Sequence, residues 1–60
     1  MPSIAILNEV QRLFGVSDRL DSLAEQHPFV AEALLAISES VRNTATVLAV
    51  LVATRNAKPI

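Results

Sequence analysis

From Pro28 the chain runs to Lys58 without a glycine or another proline, and within that run twelve uncharged residues, Asn43 to Thr54, lie between Arg42 and Arg55. Such a segment is a membrane span, a β-strand or a helix in search of cover. A spanning helix needs about 20 mainly apolar residues, and twelve between two arginines fall short. Thr44, Thr46, Val47, Val50 and Val52 are β-branched and strand-prone. No turn signal, however, separates Ala45 from the helical pattern upstream, and no second strand is available to pair with it. The run therefore reads as a helix over residues 28–56, roughly 40 Å long at 1.5 Å per residue. Pro28 suits its first position, and Glu32 near the start and Arg55 near the end both favour the helix dipole.

Val30, Leu34, Ile37, Val41, Thr44, Leu48 and Leu51 alternate spacings of four and three, which places them on one seam. Around it the C-terminal half is apolar on nearly every side, with Val47, Leu48, Leu51 and Val52 on a broad front and Val50 off to the flank. A helix of that kind is buried on several sides. Sixty residues supply too little material to bury it, and there is no cysteine and only one histidine, His27, to brace a small core. Another copy of the chain is the expected cover. The expected oligomer interface comprises Leu34, Ile37, Val41, Thr44, Ala45, Leu48, Leu51 and Val52. Ala45, Ala49 and Ala53 repeat every four residues as a small-residue ridge that would admit a neighbouring backbone. Thr46, Val50, Ala53 and Thr54 form an uncharged patch on the far side, expected to be a second contact surface.

The N-terminal half reads as two shorter helices. Ile6, Leu7, Val10, Leu13 and Phe14 share a face, with Ser3 as N-cap and Gly15 in the left-handed position that ends a helix. Ser17 caps a second segment, with Asp18 and Asp21 in its early turns and Leu20, Leu23 and Ala24 as its apolar edge, and Pro28 ends it. The expected fold is all-α, a single small domain with helices over about 3–14, 17–27 and 28–56. Copies would self-associate into a helical bundle, as a four- or six-helix homodimer or a higher even oligomer.

Function is less constrained. Net charge is −1, which argues against nonspecific nucleic-acid binding. Residues 1–40 hold two arginines against six acids, while residues 41–60 hold three basic residues and no acid, so the halves can attract within or between chains. Asp18, Asp21 and Glu25 share a face suited to a solvated surface or a basic partner. Met1 reads as a natural start, and MPSIAILNEVQR lacks a secretory pattern, so the expected location is the cytoplasm. No serine has a neighbouring base, no glycine-rich phosphate loop exists and His27 has no companion ligands. These features point to a non-enzyme without metal or cofactor.

Gly15-Val16-Ser17 between two expected helices resembles the turn of helix-turn-helix DNA-binding proteins. The resemblance covers LFGVSDRLDSL and implies a transcriptional regulator as one alternative. Gln11 stands where that family has a small residue, Asp21 where it has an apolar one, and the segment that would read DNA carries three acids and one arginine. A peripheral membrane helix is another alternative, but such helices place Lys and Arg along the polar face, where this chain has Glu32, Glu39 and Asn43. The favoured reading is a small protein-interaction module that binds itself and a further protein, as a regulator, inhibitor or assembly adaptor.

Overall fold

The computed structural model describes the backbone of residues 3–56, and the side chains of 4–55. It consists of two helices, α1 (Ser3–Gln26) and α2 (Ala31–Asn56), joined by His27 and a single 3-10 turn, Pro28–Val30. The expected Ser3 cap and the charge of Lys58 lie outside the described side chains. At 1.5 Å per residue the helices are about 36 and 39 Å long, so one folds back along the full length of the other.

The connector is dictated by Pro28. It pushes His27 out of helical geometry, to φ −131° and ψ 75°. The His27 amide still closes the last turn of α1 onto the Leu23 carbonyl at 2.9 Å. The Val30 amide then donates to the His27 carbonyl at 3.1 Å, and the Ala31 amide to the Pro28 carbonyl. A reversal this short leaves an antiparallel hairpin as the outcome.

The expected break at Gly15 does not occur. Gly15 lies inside α1 with no positive φ, and the two short helices are one. An interior glycine costs a helix roughly 1 kcal/mol relative to alanine, but residues on both sides of it, Val10 and Leu13 before, Ser17 and Leu20 after, pack onto α2. That shared packing holds the two halves in line. Ser17 is accordingly no helix cap. It is fully buried, and its hydroxyl lies 2.7 Å from that of Ser38. With no turn at Gly15-Val16-Ser17, the feature that resembled a helix-turn-helix is absent.

The buried residues of the hairpin are few and small: Val10, Ser17 and Ala24 on α1, and Ser38, Ala45 and Val52 on α2. Each set advances by seven residues. The phase continues through the connector at Ala31, so one heptad register runs through both helices. The Ser17–Ser38 contact fixes the alignment, setting Val10 level with Ala45 and Ala24 level with Ala31. Ser38 Oγ donates to the Ser17 carbonyl at 3.0 Å, and Ser17 Oγ to the Ser38 carbonyl at 3.2 Å. Both hydroxyls are therefore satisfied at the centre of the hairpin. The Ala45-Ala49-Ala53 ridge is not the close contact. Steps of four drift around the helix, so Ala45 is buried, Ala49 half-buried and Ala53 exposed; steps of seven stay on the seam.

Candidate interaction surface

Side chains that flank this narrow seam divide the hairpin into two faces, one mixed, where exposed Leu7, Phe14 and Leu35 share a register with the charged Asp21 and Arg42, the other apolar along its centre. On one face Arg42 of α2 reaches across to α1, its Nη2 lying 2.9 Å from Asp21 Oδ2 and 3.7 Å from Asp18 Oδ1. Two of the three carboxylates of the Asp18-Asp21-Glu25 surface thus meet Arg42 of the same chain. The Ser38 hydroxyl, and then the Arg42 guanidinium, hold the Asp21 carboxyl below its ordinary value, partly opposed by desolvation. Glu25, Glu32 and Glu39 lie on the same side by register.

The other face is apolar. Its inner columns are Ile6, Leu13 and Leu20 from α1 and Leu34, Val41 and Leu48 from α2, all half-buried. Outside them stand Val16 and Leu23 on α1, exposed Val30 at the end of the 3-10 turn, and exposed Ile37, Thr44 and Leu51 on α2. Shallow grooves cross it, one lined by Leu13, Ile37, Val41 and Thr44, the next by Thr44, Val47, Leu48 and Leu51. Thr44 does not interrupt the surface chemically, because its hydroxyl donates to the Ser40 carbonyl at 2.9 Å and leaves its methyl outward.

The residues expected at an oligomer interface therefore separate into two groups. Ala45 and Val52 are buried against α1 of the same chain and need no second copy to cover them. Leu34, Ile37, Val41, Thr44, Leu48 and Leu51 form the apolar stripe just described. Ile6, Leu13 and Leu20 were expected on the apolar faces of the N-terminal half but not beside the α2 residues; their heptad alignment with the small residues at 10, 17 and 24 is the signal that joins them to this stripe. Thr46, Val50, Ala53 and Thr54 are all exposed. Thr46 and Thr54 hydroxyls bond back to the Arg42 and Val50 carbonyls, so that patch too presents methyl groups.

The exposed area is large for the chain's size. A folded monomer of 6.5 kDa exposes about 3,800 Å² by the usual mass scaling, whereas this hairpin exposes 4723 Å². An elongated hairpin, 52 × 16 × 11 Å, with one layer of helices and no second layer over its apolar face accounts for the difference. By length and composition the segment Pro28–Arg55 also passes as a membrane span, with mean hydropathy 1.3 over its best stretch of 18 residues, 17% of it buried. Glu39 and Arg42 lie midway along it, and Arg42 is tied to α1 by the ion pairs above.

Among the described residues no group of three or more His, Cys, Asp or Glu side chains is placed to hold a metal ion. His27 is exposed on the connector. Comparison with protein-family models, with curated proteins and with solved structures gives no match.

Proposed function

We propose that the chain is a homotypic assembly module: two hairpins stack apolar face to apolar face as a four-helix bundle, and the protein acts by pairing rather than by catalysis. The observation that carries this reading is the stripe of six large side chains, Ile6, Leu13, Leu20, Leu34, Val41 and Leu48, each half-covered by its own chain and all opening to one side. A second copy is the occupant that fits best. It brings the same stripe, so small residues between the helices of each chain alternate with large ones between chains, which fills a four-helix core at native density. It also buries no unsatisfied hydroxyl at Thr44.

The reading is tested by sedimentation equilibrium. The expected mass is twice the 6.5 kDa chain, and Leu48→Asp should return it to that of a single chain, because an unpaired carboxylate at a buried contact costs several kcal/mol. A wild-type monomer at tens of micromolar would overturn it.

One observation favours a second reading. The apolar face and the hydropathy of Pro28–Arg55 also suit a hairpin lying in a bilayer surface. Flotation with liposomes of neutral and anionic lipid separates the two: an assembly module stays with the soluble fraction in both. The same pairing provides a scaffold on which the opposite face, with its glutamates, is available to a further protein in the cytoplasm.

A further inference from the structure

We infer that the two copies pair head to tail, the turn of one hairpin lying over the open end of the other, with Glu9 of each chain reaching Arg19 of its partner. This rests on the pairing proposed above and adds its orientation. The apolar stripe is centred on Leu13 and Val41, so a two-fold axis through that layer overlaps two stripes completely. Two such axes exist. One superposes turn on turn, with α1 stacked on α2 of the partner; the other superposes turn on open end, with each helix stacked on its own counterpart.

Charge distinguishes them. The half of the hairpin nearest the turn, residues 16–40, holds Asp18, Asp21, Glu25, Glu32 and Glu39 against Arg19. The open half holds Arg12, Arg42 and Arg55 against Glu9. Even with the ion-paired Asp18, Asp21 and Arg42 set aside, which together keep one negative charge, the ends remain opposite in sign. Turn-on-turn stacking sets like ends together; head-to-tail stacking sets the basic open end of each hairpin beside the acidic turn end of its partner, whose Glu25 and Glu32 lie on the outer face.

The edges of the stripe agree. Its α1 edge carries Glu9, Arg12 and Arg19, which line one shallow groove with Leu13 and Val16. Its α2 edge, Ala33, Ser40, Val47 and Thr54, carries no charge. Turn-on-turn stacking would set the charged edge against the uncharged one. Head-to-tail stacking about Leu13 sets α1 antiparallel to α1, bringing Glu9 level, within about one turn, with Arg19 of the partner. The joined edges gather Arg12 and Arg19 of both chains around the two Glu9 carboxylates, a net +2 that solvent screens at this exposed rim, with each Arg12 bridged to its own Glu9 at 3.5 Å.

The chain has no cysteine, so His27→Cys gives a single attachment point for a spin label on the exposed connector. Dipolar spectroscopy on the labelled full chain, with its mass measured in the same sample, gives the separation. Head-to-tail pairing predicts roughly 40 Å between labels, from twice the rise between the turn and Val41. A separation under about 20 Å, as for neighbouring helices 8–10 Å apart, would overturn the orientation while leaving the pairing intact. A monomer mass with no interchain distance would remove both. In unlabelled protein, Glu9→Arg should weaken dimerisation on the order of tenfold, two exposed ion pairs being lost and replaced by repulsion. Adding Arg19→Glu should restore it; a double variant no tighter than Glu9→Arg alone overturns the Glu9–Arg19 contact.

Discussion

Replacing Gly15 with alanine separates a continuous α1 from a chain that breaks at its only glycine. In the hairpin Gly15 has ordinary helical φ, and a Cβ built on it meets nothing within 4 Å. The substitution therefore carries no steric cost. Its effect is the difference in helix propensity between glycine and alanine, about 0.8–1.0 kcal/mol, arising largely from the freedom that glycine loses on folding. An unfolding entropy of about 2.1 cal/mol/K per residue gives roughly 0.13 kcal/mol/K for this 60-residue chain. The midpoint of a thermal melt should then rise by about 6–8 °C. Circular dichroism at a fixed protein concentration measures it, the concentration being held because pairing shifts the midpoint by mass action. Had Gly15 ended a helix in the left-handed conformation, alanine would destabilise by a similar amount. The two accounts thus differ in sign. A midpoint that falls by several degrees would refute the continuous helix.

Ser38→Val should destabilise the hairpin by about 1–3 kcal/mol in a denaturant titration, because the fully buried layer at Ser17 has no room for the added bulk and the Ser17 hydroxyl keeps only a backbone partner. Asp21 has a folded-state pKa below its ordinary value of 3.8, so its contribution to stability is present above that pH and is lost as pH falls through the lowered value. The acid limb of a stability–pH curve should therefore be shallower in Asp21→Asn than in wild type, and identical limbs would count against the Asp21–Arg42 contact. Val50→Glu lies opposite the apolar stripe and should leave both dimer mass and melting midpoint nearly unchanged, within about 0.5 kcal/mol. A marked loss in either would identify the Thr46, Val50, Ala53 and Thr54 patch as a second contact surface.

The helical class and the second helix were legible because nothing interrupts the chain between Pro28 and the described end of α2. The turn was legible because proline acts on the residue before it, whatever the tertiary context. Gly15 misled for the converse reason. Glycine permits a helix end without requiring one, and tertiary packing on α2 decided the matter. Ser17 misled in the same way: a serine beside a glycine carries the local signature of a cap, yet its partner, Ser38, is 21 residues away. The heptad of small residues was present throughout, at Val10, Ser17, Ala24, Ala31, Ser38, Ala45 and Val52. It escapes a search for large apolar side chains, which finds instead the stripe one position away at Ile37, Thr44 and Leu51. Sequence periodicity thus located an apolar surface on α2, but not which part of it the chain covers itself.

That division has an energetic consequence. Small residues at the seam let the two helices approach closely, and the hydroxyl pair at Ser17 and Ser38 specifies one register, since a slip by a single turn would leave both groups buried against apolar neighbours. Neither feature removes much apolar area from water. Most of the large side chains that could do so stand on one side of the seam, where the hairpin covers the six inner ones only in part; Leu7, Phe14 and Leu35, in register with Asp21 and Arg42, stand exposed on the other. Full burial of a leucine or isoleucine contributes about 1.5–3 kcal/mol, so each of the six inner side chains leaves roughly 1 kcal/mol unclaimed. Marginal domains are stable by only about 0.05–0.15 kcal/mol per residue, or a few kcal/mol for sixty. The unclaimed burial is comparable with the whole of that margin. On the proposed pairing, the seam chooses the register and the stripe supplies the stability, which makes folding and association a single equilibrium for this chain.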